Sequence, residues 1–80
     1  ILAYQPGKLL VRGDTPLFKI ERLLGIDIDR VEADTLAGLV YQALNRVPEE
    51  DEVLETEGLR IIVKKMRGPK ILLAKVLRLD

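Results

Sequence analysis

A chain of 80 residues, 48% hydrophobic and 32% charged with a formal net charge of zero, has enough apolar side chains for one compact core, which excludes a disordered chain. The absence of cysteine and histidine excludes a disulfide framework and thiolate or imidazole metal sites, and with no serine either, a hydroxyl nucleophile paired with a histidine base cannot be assembled. The longest apolar run, Ile71 to Ala74, is far short of the roughly 20 residues a membrane-spanning helix needs, and Ile1 stands where an initiator methionine would; a soluble fragment of a longer protein, with no direct membrane insertion, is expected.

Ile1 to Gln5 and Lys8 to Arg12 are apolar-rich runs separated by Pro6-Gly7, a turn dipeptide, and read either as a hairpin or as a linker entering a first strand. Gly13-Asp14 breaks the pattern. Thr15 then offers a capping hydroxyl directly before Pro16, which suits the first position of a helix. Leu17, Ile20, Leu23 and Leu24 recur at helical spacing, and Gly25 follows where a left-handed C-cap is expected. Between Ile26 and Asp34, Asp29 and Glu32 have capping-box spacing, which permits one further helical turn.

Asp34-Thr35 introduces the clearest element, a helix with Leu36, Leu39, Val40, Ala43, Leu44 and Val47 at three-and-four spacing, ending near Asn45 and stopped by Pro48. Gly38 inside it costs about 1 kcal/mol relative to alanine, so a close approach of another backbone segment is expected there. After the acidic loop Glu49-Glu50-Asp51-Glu52 come three strand-like runs, Val53 to Thr56, Leu59 to Met66 and Ile71 to Leu79, broken at Gly58 and at Gly68-Pro69. In the second run Leu59, Ile61 and Val63 alternate with polar residues. The third is apolar on both sides and suits a central strand. The expected fold is α+β: a single two-layer domain over residues 1–80, with a mainly antiparallel sheet and two or three short helices on one face.

Charge is unevenly spread. Asp27 to Glu57 holds ten acidic and two basic residues, whereas Arg60 to Arg78 holds seven basic and no acidic ones, so acidic loops are expected to neutralise basic strands within one fold. With nil net charge and only Tyr4, Phe18 and Tyr41 as aromatics, nucleic-acid binding is not expected. Gly13-Asp14-Thr15 could in principle leave amides free for an anion, although a capping turn accounts for the same residues. The acidic run 49–52 could offer oxygen to a hard cation, but it lacks the alternating spacing and turn glycine of a calcium loop and reads as a solvated loop. Lys64, Lys65 and Lys70 read as a contact patch or as solubilising charge near a hairpin tip. No catalytic residue, metal ligand or cofactor-binding residue is singled out, and the chain does not read as an enzyme.

The runs Val11-Arg12-Gly13-Asp14-Thr15-Pro16-Leu17, Leu24-Gly25-Ile26-Asp27 and Ala33-Asp34-Thr35-Leu36-Ala37-Gly38-Leu39-Val40 together resemble the CorC/HlyC transporter-associated domain. Arg46-Val47-Pro48 before an acidic turn, and Gly58-Leu59-Arg60 leading into two terminal strands, extend the resemblance over nearly the whole chain. One departure is Asp51, where that family usually has glycine. The resemblance implies a regulatory or interaction domain at the C-terminus of a magnesium and cobalt exporter or haemolysin-like membrane protein. It further implies a position on the cytoplasmic face of the membrane, next to a transmembrane region and a pair of CBS domains. A similar fold in FAD-binding oxidoreductases implies, by analogy, a small-ligand module for FAD or a nucleotide. Homodimerisation through a sheet edge is a further expectation.

Overall fold

The computed structural model describes residues 1–28 and 31–79. In chain order the elements are β1 (Ala3–Gln5), β2 (Lys8–Arg12), α1 (Leu17–Leu24), α2 (Leu36–Leu44), β3 (Val53–Thr56), β4 (Leu59–Arg67) and β5 (Lys70–Arg78). The five strands form one antiparallel sheet in the order β1-β2-β5-β4-β3, so the α+β expectation holds, with two helices among the described residues. β5 is central, as its apolar sequence suggested, flanked by β2 and β4. The first two runs form the hairpin, with Gln5 opposite Lys8.

The register explains the core. Leu9, Val76, Ile61 and Leu54 stand abreast across four strands, and Val11, Ala74 and Val63 form the next row on the same face. All seven are buried, together with Leu17, Ile20 and Leu24 of α1 and Leu36, Leu39 and Val40 of α2. Burying each leucine or isoleucine contributes about 1.5–3 kcal/mol, which holds the helical layer on this face.

Both helices end as their sequences require: Gly25 (φ 67) and Asn45 (φ 54) adopt the left-handed C-cap conformation, and their amides donate to Glu21 O and Tyr41 O. Asp51 also lies in the left-handed region, at φ 66, and its amide donates to Val63 O at 2.6 Å. The aspartate therefore adopts the backbone conformation for which glycine is the usual residue, because its short polar side chain tolerates positive φ better than most.

Four local expectations are corrected. Thr15 does not cap α1; the residue before the helix is Pro16, with no side-chain cap bond, and Thr15 is buried one position earlier. Val47 lies beyond the end of α2 and is 51% exposed, while Ala43, expected on the same apolar stripe, is exposed as well. Leu23 of the α1 stripe is 38% exposed, because the buried face is carried by Leu17, Ile20 and Leu24. The approach at Gly38 comes from the segment leading into α2: a Cβ there would lie 3.1 Å from Ala33 Cβ. The proposed turn at Asp29 falls outside the described residues.

Candidate functional site

Two of the runs that carry the family resemblance, around residues 13–17 and 34–38, lie against each other. Pro16 and Thr35 form an isolated antiparallel bridge. Leu17 N–H donates to Asp34 O (2.9 Å), Leu36 N–H to Thr15 O (3.0 Å) and Ala37 N–H to Gly13 O (2.9 Å). Thr35 Oγ1 caps α2 by accepting from Gly38 N–H at 3.1 Å, and Leu39 N–H donates to Thr35 O. Thus the first amides of α2, which an anion site would need to leave open, are all spent inside the protein. The Gly13 amide donates to Leu72 O (3.3 Å) and that of Thr15 to Arg12 O (3.1 Å), so these residues of the first turn form a structural clasp.

Gly13 is what lets the clasp close. A Cβ at this position would lie 2.2 Å from Ile71 O on the neighbouring strand, a backbone atom and not the flexible end of a side chain. Around the clasp opens a shallow cleft of about 510 Å³ lined by Asp14, Thr35, Tyr41, Val47, Pro69 and Lys70, among others. Tyr41 Oη donates to Pro69 O and ties α2 to the β4–β5 turn. Asp14 is engaged by Arg12 at 3.3 Å. The lining offers a tyrosine edge, a valine and a proline with one lysine at the rim, which suits contact more than chemistry.

The acidic loop is absorbed by the fold. Glu52 accepts from Arg46 through both oxygens and from the Glu49 amide at 3.0 Å. These bonds, that from Arg46 foremost, hold the Glu52 carboxyl below its ordinary pKa and raise that of Arg46. Glu50 accepts from Met66 N–H (2.9 Å) and Asp51 pairs with Lys64 (3.3 Å). Arg60 pairs with Glu55 at 2.7 Å. The expected neutralisation of acidic loop by basic strand is present in the Asp51–Lys64 pair, whereas Glu52 is matched by Arg46 beside the loop and Glu55 by Arg60 on the adjacent strand. Among the described residues no group of three or more acidic side chains is placed to hold a metal ion. Of the three lysines considered as a contact patch, Lys64 is paired, while Lys65 lies beside β5 at Leu73 and Lys70 borders the cleft.

Sequence reasoning missed the union of β2 with β5 and the clasp between the two motif runs, because both join segments far apart in the chain. The only local sign was that Gly13 and Gly38 fall inside the motifs. Residues 4–80 match the sequence model of the transporter-associated domain, CorC_HlyC. The chain belongs to this family.

As a CorC_HlyC domain it is similar to several proteins. It is 25% identical over 79 residues to the UPF0053 protein of Haemophilus influenzae, covering 99% of this chain but 19% of the relative, so the chain spans about a fifth of that protein's length. A structure of a functionally unknown conserved protein from Haemophilus influenzae is 26% identical, with a TM-score of 0.80 over 90% of this chain and 89% of the other. The region associated with a candidate Mg2+ and Co2+ transporter (CorC) of Neisseria meningitidis is 25% identical, with a TM-score of 0.83 over 96% and 95% of the two chains. The CorC_HlyC domain of a Xylella fastidiosa haemolysin, solved in complex with Mg2+ and Mn2+, is 25% identical with a TM-score of 0.81 over 99% and 96%. No described helix of the domain is long and apolar enough to cross a membrane.

Proposed function

We propose that the domain is a non-catalytic regulatory module of a divalent-cation transporter or haemolysin-like membrane protein. It works on the cytoplasmic face by contact with neighbouring domains of its parent chain, a CBS pair and a transmembrane region. The observation that carries this reading, beside the family membership, is the clasp: the Gly13, Thr15 and Leu17 amides and the first amides of α2 are used to build the fold. Polar groups around the cleft are largely bonded within the protein, so the surface can present shape and charge but not a poised acid, base or nucleophile.

Binding of FAD or a nucleotide would require free amides at a helix start and a deep apolar slot. The Gly13, Thr15 and Leu17 amides at the start of α1 donate within the protein, as do the first amides of α2. A thermal-shift titration of the purified domain with FAD, adenine nucleotides and Mg2+ tests the alternative, since a ligand that binds only the folded state raises Tm. No shift with any of them, together with a measurable affinity for the purified CBS pair by calorimetry, is the expected outcome. A saturable rise with FAD would replace the contact reading by a ligand-sensing one.

A further inference from the structure

The register that builds the core also builds the reverse face of the sheet. Ala3, Leu10, Lys75, Ile62 and Val53 stand abreast across all five strands, and in the next row Leu77 stands between Lys8 and Arg60. The buried rows and both helices lie on the opposite side, so no described element covers this face. A groove of about 370 Å³ runs here, its lining including Leu10, Ile62, Leu77, Lys8 and Lys75. The three apolar residues are half-buried and the two lysines exposed.

Charge identifies what fits. Arg60 is already matched by Glu55, whereas Lys8 and Lys75 belong to none of the ion pairs among the described residues. The groove is thus an apolar floor between two unmatched cations. A second copy docked on this face about a two-fold axis would bring the same lysines into one interface, which like-charge repulsion opposes. A flat bilayer has no ridge to enter a groove. A sheet face is ordinarily covered by helices, as the opposite face of this one is.

We propose that the uncovered sheet face docks an acidic amphipathic helix of a partner protein, its apolar stripe on Leu10, Ile62 and Leu77 and its carboxylates against Lys8 and Lys75. The proposal rests on the contact-module reading and names the partner's chemistry. A helix of about 14 residues, ~21 Å long, is enough to cross five strands spaced ~4.8 Å apart.

The test uses this domain and a 14-residue peptide with leucines at helical spacing and glutamates elsewhere, against a lysine version of the same peptide. NMR titration is expected to show saturable shifts at Leu10, Ile62, Lys75 and Leu77 with the glutamate peptide. In Lys8→Glu/Lys75→Glu, expected to keep its Tm because both side chains are exposed, that affinity falls at least about tenfold and the preference turns toward the lysine peptide. Affinity is also expected to weaken with added salt. Equal binding of both peptides, no binding, or shifts confined to the Tyr41–Pro69 cleft overturn the proposal. Sedimentation of the domain with phosphatidylserine vesicles, abolished by the same double variant and without any peptide preference, overturns it in favour of a membrane surface. If the CBS pair still binds the double variant with full affinity, the contact reading survives and this assignment of its surface fails.

Discussion

At the scale of single residues, the most constrained position is Gly13, and the reason is distance, not dihedral freedom. Its missing side chain is what allows β2 to pass so close to Ile71 O, and the same residue's carbonyl accepts from Ala37 N–H. Gly13→Ala would put a methyl where a backbone oxygen stands, so β2 and β5 would have to separate and the clasp with α2 would loosen with them. A loss of about 3 kcal/mol or more is expected, read as a fall in the urea midpoint; a loss below about 1 kcal/mol would mean that the strands shift freely and that the clasp is not what holds α2. Asp51 shows the opposite case. There positive φ alone is required, and an aspartate meets it while also pairing with Lys64. That is why the departure from glycine at this position leaves the turn intact.

Among the elements, the connection from α2 to β3 carries one carboxylate whose folded-state titration can be read directly. Glu52 accepts from Arg46 and from the Glu49 amide, and its folded-state pKa lies below the ordinary value for glutamate. A carboxyl whose pKa is depressed on folding adds stability that is fully present above the unfolded value, near ~4.3, and is lost as pH falls through the lower folded value. Arg46, shifted upward, stays charged throughout. Glu52→Gln should therefore cost stability at pH 7 and progressively less below about pH 4, where the wild-type carboxyl is itself being protonated; urea midpoints at pH 7 and pH 3 read the difference. A constant difference between the two proteins at both pH values would show that Glu52 acts through packing and not through its charge. The elements themselves were legible where the signal was local: alternation of Leu59, Ile61 and Val63 between turn glycines marked β4, and Leu36, Leu39 and Val40 marked α2. Thr15 was misread because a threonine before a proline looks like a cap, whereas in the fold its carbonyl serves Leu36. Its hydroxyl does not cap α1. The clasp as a whole was not legible, since it joins residues about twenty positions apart and no periodicity reports on such a pairing.

Across the whole molecule, stability is graded outward from β5. This strand is bonded on both sides, by β2 over Arg12 to Lys8 and by β4 over nearly its full length, and it contributes buried Ile71, Ala74 and Val76. β1 is the other extreme: three residues, all exposed, paired on one side only. The apolar sequence of β5 fits its central place between β2 and β4, and the described helices cover one face of the sheet, leaving the other open to a partner. Hydrogen exchange should report this gradient directly. Amides of Ile61, Val63 and Val76 are expected to exchange only by global unfolding, while the β1 amides that pair with β2 exchange through local fraying at least a hundredfold faster. Docking on the open face would then slow exchange of the core strands through the added global stability and protect the edge strand β1 further by suppressing its fraying. Uniform exchange across all five strands would mean that β1 unfolds only with the rest, and the sheet would be one cooperative unit with no soft edge for a partner to order.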